Sequence, residues 1–489
     1  MNLRRLDLPM VASFVGRAAE LALLRKRLDR VQSDGAGLAM TIRGRRQVGK
    51  SRLVQEFCDR SDVPYVYFTA TKGASAAEAV ATFLSELRDS PIPGNPDLVP
   101  AGAGGWPDAF RALANVLPDR PTVVVVDEVP WLAEQDKAFD GALQTAWDRL
   151  LSTKPVLLLL LGSDIHMMER LTAYDRPFFG RADALVLGPL TPGETARALG
   201  LDGADAIDAH LICGGLPGII RSWPSGTPPL RFLEAECADP AAAVFSIPEA
   251  SLLAEFPAPD QARRVLEAIG GGDRTFANIA ATAGGALTPL SSGLLTPLLR
   301  RLREEKRVLA VDEPLSTKPG KPVLYRVADS NLRLYMAILR TAQEQARRGR
   351  AEAAYKLVQR RWKAWRGRAV EPLVREAVEL VAIAEGLPWP VQSVGGWWNR
   401  QFNPEVDLVG ADRAPVAQSV LLGGSIKWIG TPFDGHDLAD LMNAVVQIPG
   451  FTPGKSGLMV VSLNGLAPQV VADRLDVVWG PSEVLSAWS

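Results

Sequence analysis

The clearest pattern along the chain is a set of short apolar runs with no polar side, separated by stretches of helical spacing. Residues 38–42, 63–69, 121–127 and 155–162 read as strands. Two of them, Val123 to Val126 and Val156 to Leu161, are apolar at every position, as strands buried on both faces of a parallel sheet must be. Residues 51–59, 76–88, 106–117 and 137–152 repeat apolar positions every three or four residues and predict helices. Residues 17–30 predict another, with Leu21, Leu24 and Leu28 on one stripe. Residues 91–105, rich in Pro, Gly and Ala, form the obvious loop. Strands alternating with helices predict an α/β domain, a parallel sheet covered on both faces.

Beyond residue 190 the pattern becomes helical. Residues 192 to 235 predict a small helical lid, and the Pro/Ala-rich residues 238–259 a connecting arm. Helices are then expected over residues 262–269, 275–283 and 292–305, the last turning Leu295, Leu298, Leu299 and Leu302 inward. Residues 308–311 and 323–327 suit a β-hairpin, which completes the outline of a winged helix. Residues 331–368 read as helical. The expected domains are 1–190 (α/β), 191–258 (lid and arm), 259–335 (winged helix) and 336–489 (a carboxy-terminal domain with a basic helical lead-in).

Charge changes this picture in two places. The net charge of −1 hides a segment, 340–368, with ten Lys or Arg against two Glu. There Arg360, Arg361, Trp362, Lys363, Trp365, Arg366 and Arg368 interleave cations with aromatics. That is either a nucleic-acid footprint or a buried Trp pair covered by arginine stems. Arg300, Arg301, Arg303, Lys306 and Arg307 on the third helix of the winged helix are diluted by Glu304 and Glu305, so that face serves DNA or protein. Three scattered cysteines and three scattered histidines support neither a disulfide framework nor a zinc site. The first residues lack an apolar leader core, and no stretch approaches the ~18 apolar residues of a membrane span. A cytoplasmic protein without a membrane partner is expected.

Candidate chemistry begins at Gly44-Arg45-Arg46-Gln47-Val48-Gly49-Lys50-Ser51, which fits G-x-x-x-x-G-K-[ST] between a predicted strand and a predicted helix. Such a loop points backbone N–H groups at phosphate oxygens, and the helix N-terminus behind it adds partial positive charge. Lys50 is expected to reach the β- and γ-phosphates and Ser51 to hold Mg²⁺. Asp127 and Glu128 end a buried strand, where Asp127 suits Mg²⁺ and Glu128 suits activation of the attacking water. Ser163 ends the next strand and is a candidate sensor of the γ-phosphate. Arg181 is a weaker candidate for a charge-stabilising arginine, with an ordinary loop arginine as the alternative.

Taken in order, these segments resemble the archaeal-type ATPases of the AAA+/STAND P-loop class. The resemblance runs through Phe14-Val15-Gly16-Arg17, the loop at 44–51, Asp127-Glu128, Gly162-Ser163, Gly180-Arg181, Gly214-Gly215-Leu216-Pro217 and Tyr325-Arg326-Val327-Ala328-Asp329. Only the phosphate loop and the Asp-Glu strand end are individually specific. The resemblance implies that Phe14, Val15, Gly16 and Arg17 lie near an adenine, and hence that ATP is the nucleotide.

The carboxy-terminal part is similar to the PD-(D/E)xK endonuclease-like domain often appended to such ATPases. Its marks are Glu371, Gly395-Gly396-Trp397-Trp398, Glu405-Val406-Asp407-Leu408-Val409 and Ser425-Ile426-Lys427-Trp428. A working site of that kind sets three carboxylates around Mg²⁺ beside a lysine. Glu371, Asp407 and Lys427 are available, but Ser425 replaces the carboxylate of the E-x-K element. Glu405, two residues from Asp407 on one strand face, is the candidate replacement. The expectation is a degenerate remnant that binds nucleic acid or protein. The functions open to the chain are then an ATPase switch coupled to DNA, a signalling scaffold in which ATP drives homo-oligomers or protein recruitment, and a metal-dependent nuclease.

Overall fold

The computed structural model describes residues 14–256, 260–285, 288–320, 322–470 and 474–488. Residues 1–13, with the expected leaderless start, and residues 257–259, the end of the expected arm, lie outside the described residues. The chain forms two compact units, residues 1–190 and 191–489.

In the first unit the valine and leucine runs become the centre of a five-stranded parallel sheet. Its strands are β1 (Leu38–Arg43), β2 (Tyr65–Thr69), β3 (Thr122–Asp127), β4 (Val156–Gly162) and β5 (Ala182–Val186), in the order β2-β3-β4-β1-β5. Every residue of β3 and β4 is buried, as the apolar runs Val123 to Val126 and Val156 to Leu161 within them require. The covering helices are α1 (Ala18–Asp34), α2 (Lys50–Arg60), α3 (Ala76–Asp89), α4 (Trp106–Val116), α5 (Val129–Gln135), α6 (Phe139–Ala146) and α7 (Ile165–Leu171). A capping box between Ser75 and Glu78 starts α3, and Gly35 in a left-handed conformation stops α1. Trp106 packs against Phe68, Phe83, Phe110 and Phe139 on one face of the sheet. Removing a buried side chain of that size costs about 3–5 kcal/mol.

Three differences from the sequence reading stand out here. The expected helix over 137–152 is α6 followed by a wider turn at Trp147–Leu151. Helices α5 and α7 were not expected. Nor was β5, whose Ala-Asp-Ala-Leu-Val sequence is only partly buried because it pairs on one side, with β1.

The second unit begins with four short helices, α8 (Pro192–Leu199), α9 (Gly203–Cys213), α10 (Pro217–Ser222) and α11 (Pro229–Glu236). The segment expected as an arm is instead a helix, α12 (Ala243–Glu255), which tolerates Pro248 because Val244, Phe245 and Leu252 are buried beside it. Helices α13 (Gln261–Gly271), α14 (Phe276–Gly284) and α15 (Ser292–Arg300), with the wide turn Arg301–Glu305, precede the antiparallel hairpin of β6 (Leu309–Asp312) and β7 (Leu324–Val327). Helices α16 (Ser330–Leu334), α17 (Arg340–Arg347), α18 (Ala351–Ala369) and α19 (Glu371–Ile383) lead to a second sheet. That sheet has the order β12-β11-β10-β9-β8, from β8 (Ser393–Trp398), β9 (Glu405–Ala411), β10 (Val420–Lys427), β11 (Gly457–Ser462) and β12 (Val477–Trp479). Strands β8, β9 and β10 are antiparallel neighbours. Strands β10, β11 and β12 run parallel, with α20 (Gly435–Val445) crossing from β10 to β11, and α21 (Pro481–Ser486) follows β12.

Candidate functional site

Strand β1 delivers the chain into the glycine loop, and α2 begins at Lys50, so the first free amides of that helix face the loop. Gly44 cannot carry a side chain, since a Cβ there would lie 2.3 Å from the Leu187 carbonyl oxygen. Gly49 turns the chain at φ 92°, a conformation that costs glycine nothing. The Lys50 Nζ donates to the carbonyls of Gly44 at 2.7 Å and Arg45 at 3.0 Å. Burial lowers the Lys50 ammonium to about 8, against the opposing pull of Glu128 and Asp127.

The two carboxylates at the end of β3 are held differently. Asp127 accepts from the Ser51 hydroxyl at 2.6 Å, from the Tyr67 hydroxyl at 2.8 Å and from the Glu128 N–H at 2.8 Å. Burial, reinforced by the charge of Asp127, holds the Tyr67 phenol well above its usual range, so it remains a donor. Glu128 leaves the strand at φ 57°, and both its carboxylate oxygens lie 2.9 Å from the Ser163 hydroxyl at the end of β4. Asp164 then caps α7 through the Met167 N–H. Ser51 and Asp127 are adjoining hard oxygen donors beside a phosphate-type loop, and that donor chemistry fits Mg²⁺. Trp131 on α5 stands beside the loop, with the Lys72 ammonium 4.7 Å and the Arg46 guanidinium 5.9 Å from its ring.

Residues 13–159 match the AAA ATPase domain family. This segment is a P-loop ATPase domain of the AAA type. Residues 335–431 match a second family, described as archaeal and bacterial proteins of unknown function. No curated protein matches the chain. Among solved structures, a Walker-type ATPase of Pyrococcus abyssi is similar at 18% identity, covering 66% of this chain and 96% of its own, with a TM-score of 0.44. The ORC2 protein of Aeropyrum pernix, solved with ADPNP and ADP, is 14% identical, covers 71% of this chain and 94% of its own, and has a TM-score of 0.41. The ORC1 protein of the same organism, solved in complex with DNA, is 16% identical over 68% of this chain and 94% of its own, with a TM-score of 0.34.

The ATPase unit brings Lys50, Ser51, Asp127, Glu128 and Ser163 together, with the loop residues Gly44, Arg45, Arg46, Gln47, Val48 and Gly49 around them. Arg17 braces this loop: its guanidinium donates to the carbonyls of Val48 at 3.0 Å and Gly188 at 2.6 Å and pairs with Glu20 at 2.9 Å. Phe14 lies against Arg60 at the far end of α2, and Val15 and Gly16 connect the two positions. Arg181 does not join the site. It precedes β5, whose first residue is level with Ala39 near the start of β1, and so lies at the opposite end of the sheet from the loop. Both arms of its guanidinium bind Asp148, at 2.7 and 2.8 Å. The contribution of Tyr67 was missed, although a tyrosine two residues before the end of a strand beside β3 was visible in the sequence.

The carboxylates of the second unit do not converge as a metal site. The Arg375 guanidinium donates to Glu371 at 3.3 Å and to the Asp407 carbonyl at 2.7 Å, placing a cation between them. The Asp407 carboxylate accepts from the Ser425 hydroxyl at 3.2 Å and the Ile426 N–H at 3.0 Å. Glu405 pairs with Arg274 at 3.3 Å instead of replacing a ligand, and Lys427 is engaged by Asp437. Among the described residues no group of three or more His, Cys, Asp or Glu is spaced to hold a metal ion. Arg375 was legible four residues after Glu371 on one helix face, and Asp437 as the acidic third residue of a helix capped by Asp434.

The basic segments are partly neutralised. Arg300 pairs with Glu304, Arg301 with Asp260 and Lys306 with Glu255. Trp362 is buried with Trp365 5.4 Å away, and Arg366 pairs with Asp208, so the aromatics serve packing more than an open stacking platform. Among the described residues no helix is long and apolar enough to cross a membrane.

Proposed function

We propose that the protein is an ATP-hydrolysing molecular switch in which Glu128 activates the attacking water. The observation that carries this reading is the pair of side-chain contacts at adjacent strand ends, Ser51 with Asp127 and Ser163 with Glu128. Lys50, released from the loop carbonyls, reaches the β- and γ-phosphates, while the loop amides and the start of α2 bind the remaining oxygens. Ser51 and Asp127 hold Mg²⁺, which when bound supplies charge neutralisation at those phosphates. Glu128 accepts the proton of the water, and Ser163 keeps its carboxylate aimed from the end of β4 until the γ-phosphate competes for that hydroxyl. Contacts to the γ-phosphate exist in one nucleotide state only, which is the physical basis of a switch. Phe14 to Arg17 are assigned to the adenine side of the site.

The switch is read as coupled to DNA through exposed cations of the basic segment, Arg348, Arg350 and Lys363. A second reading, a nucleotide-driven scaffold that recruits protein or a further copy of itself, is favoured by the ion-paired cations of the third winged-helix-type helix. The degenerate carboxylate arrangement favours a non-cleaving role for the carboxy-terminal domain in both. Steady-state ATP turnover with and without duplex DNA separates them. Stimulation that fades with salt supports DNA coupling. Turnover indifferent to DNA, with ATP-dependent oligomers, supports the scaffold.

A further inference from the structure

A cavity of about 540 Å³ opens in the carboxy-terminal unit among α13, β7, α18 and α19, and its wall carries seven arginines against two carboxylates, Asp312 and Glu371. Three of the seven are matched by acid partners: Arg274 by Glu405, Arg326 by Asp312 and Arg375 by Glu371. The other four, Arg333, Arg360, Arg361 and Arg368, form no ion pair among the described residues. Arg333 and Arg361 donate only to carbonyls, of Ala369 at 2.6 Å and Ala337 at 3.2 Å, which satisfy donors without cancelling charge. Among the described residues Arg360 and Arg368 have no hydrogen-bond or ion-pair partner.

The arrangement has the form of a receptor more than of a solvated surface. Arg361, Trp365 and Arg368 recur at i, i+4 and i+7, so one face of α18 presents cation, ring and cation to the cavity. The Arg333 guanidinium sits 5.7 Å from the Trp365 ring, and its Nε is buried with no partner. Burial, with Arg326 adding to it and the carboxylates of Glu371, Asp312 and Asp329 only partly opposing, lowers Arg333 to about 10. Crowded cations that lack counter-charge lower the stability of a fold unless an anion offsets them.

We propose that this cavity binds a small ligand carrying two or more phosphate groups. Four unmatched arginines supply the counter-charge for two phosphates at about −1.5 to −2 each. Guanidinium forks are the side chains best shaped for phosphate oxygens. The volume lies within the roughly 300–1,000 Å³ of small-molecule sites, and Arg333 at its depth is reached by a compact anion and not by the backbone of a duplex.

The test is isothermal titration of inorganic pyrophosphate into the full chain carrying Lys50→Ala, which disables the phosphate loop and separates this site from the ATP site. Saturable binding is expected, weakened about ten-fold or more when Arg368→Ala is added and further by Arg360→Ala. Both arginines are exposed, so the fold, monitored by circular dichroism, is expected to persist. Arg368→Lys, which keeps the charge and loses the fork, should give an intermediate loss. Absence of saturable binding overturns the proposal, as does binding indifferent to both arginines. Preferential binding of a single-stranded oligonucleotide through the same arginines also overturns it, in favour of a nucleic-acid surface.

Discussion

The Ser51 hydroxyl donates to the Asp127 carboxylate at 2.6 Å, tying the helix behind the phosphate loop to the end of β3 across the intervening β4. Two hard oxygens from distant parts of the sequence are thereby adjacent, and Tyr67 fixes the carboxylate from β2. The neighbouring Ser163–Glu128 contact makes the next carboxylate equally oriented.

In the proposed mechanism Ser163 acts on catalysis through Glu128. Ser163→Ala is expected to lower kcat about ten-fold while the KM for ATP moves less than about two-fold, because aim is lost and binding is not. Equal loss in kcat and affinity would instead make Ser163 a binding residue.

Lys50 sets a pH dependence. With its ammonium lowered to about 8, ATP binding below that pH finds the charged form, whereas above it binding must recruit a proton. The Kd for ATP should therefore be flat below pH 8 and rise by up to about ten-fold per pH unit above it. A flat profile to pH 10 would show that the lysine stays charged in the free protein.

Arg181 is expected to be dispensable for chemistry. Arg181→Ala removes the Asp148 pair at the opposite end of the sheet and should leave ATP turnover within about two-fold. The stability change should stay within about 1 kcal/mol, as for partly exposed pairs in general. A collapse of turnover measured under saturating ATP would return Arg181 to the site.

The comparison of Arg181 with Ser163 shows where sequence reasoning stops. Both follow recognisable segments, but only Ser163 ends a strand, so pattern placed it at the catalytic edge. Arg181 precedes β5, a half-exposed edge strand whose short, polar-broken sequence gave no strand signal. The phosphate loop, β3 and β4 were legible because a two-sided buried strand leaves no choice of residue. Helix α12 was not, because Pro248 and a run of alanines look like a linker until the buried Phe245 and Leu252 are seen. In the carboxy-terminal unit Ser425 already pointed to a degenerate remnant, and what side-chain types alone did not show is that Arg375, one turn after Glu371, and Asp437 engage Glu371 and Lys427.

Glu371 gives a stability test in that unit. Burial raises its carboxyl from 4.5 to about 7, with Arg375 opposing and Asp407 reinforcing. The folded state keeps this proton where the unfolded chain has lost it, so the stabilisation is full below about pH 4.5 and disappears as pH rises through 7. Glu371→Gln stays neutral throughout. It should match the natural chain at pH 4.5 and exceed it at pH 8 by up to about 3 kcal/mol in urea unfolding. A variant less stable at pH 8 would mean that the charged pair with Arg375 dominates.

The most direct test of the ATPase account is steady-state phosphate release by the full chain beside its Glu128→Gln variant, at saturating MgATP and with ATP affinity measured in parallel. The account predicts unchanged ATP binding and a loss of turnover of about 100-fold or more, since the group that accepts the proton is gone. Turnover that survives in Glu128→Gln at near its original rate would contradict it.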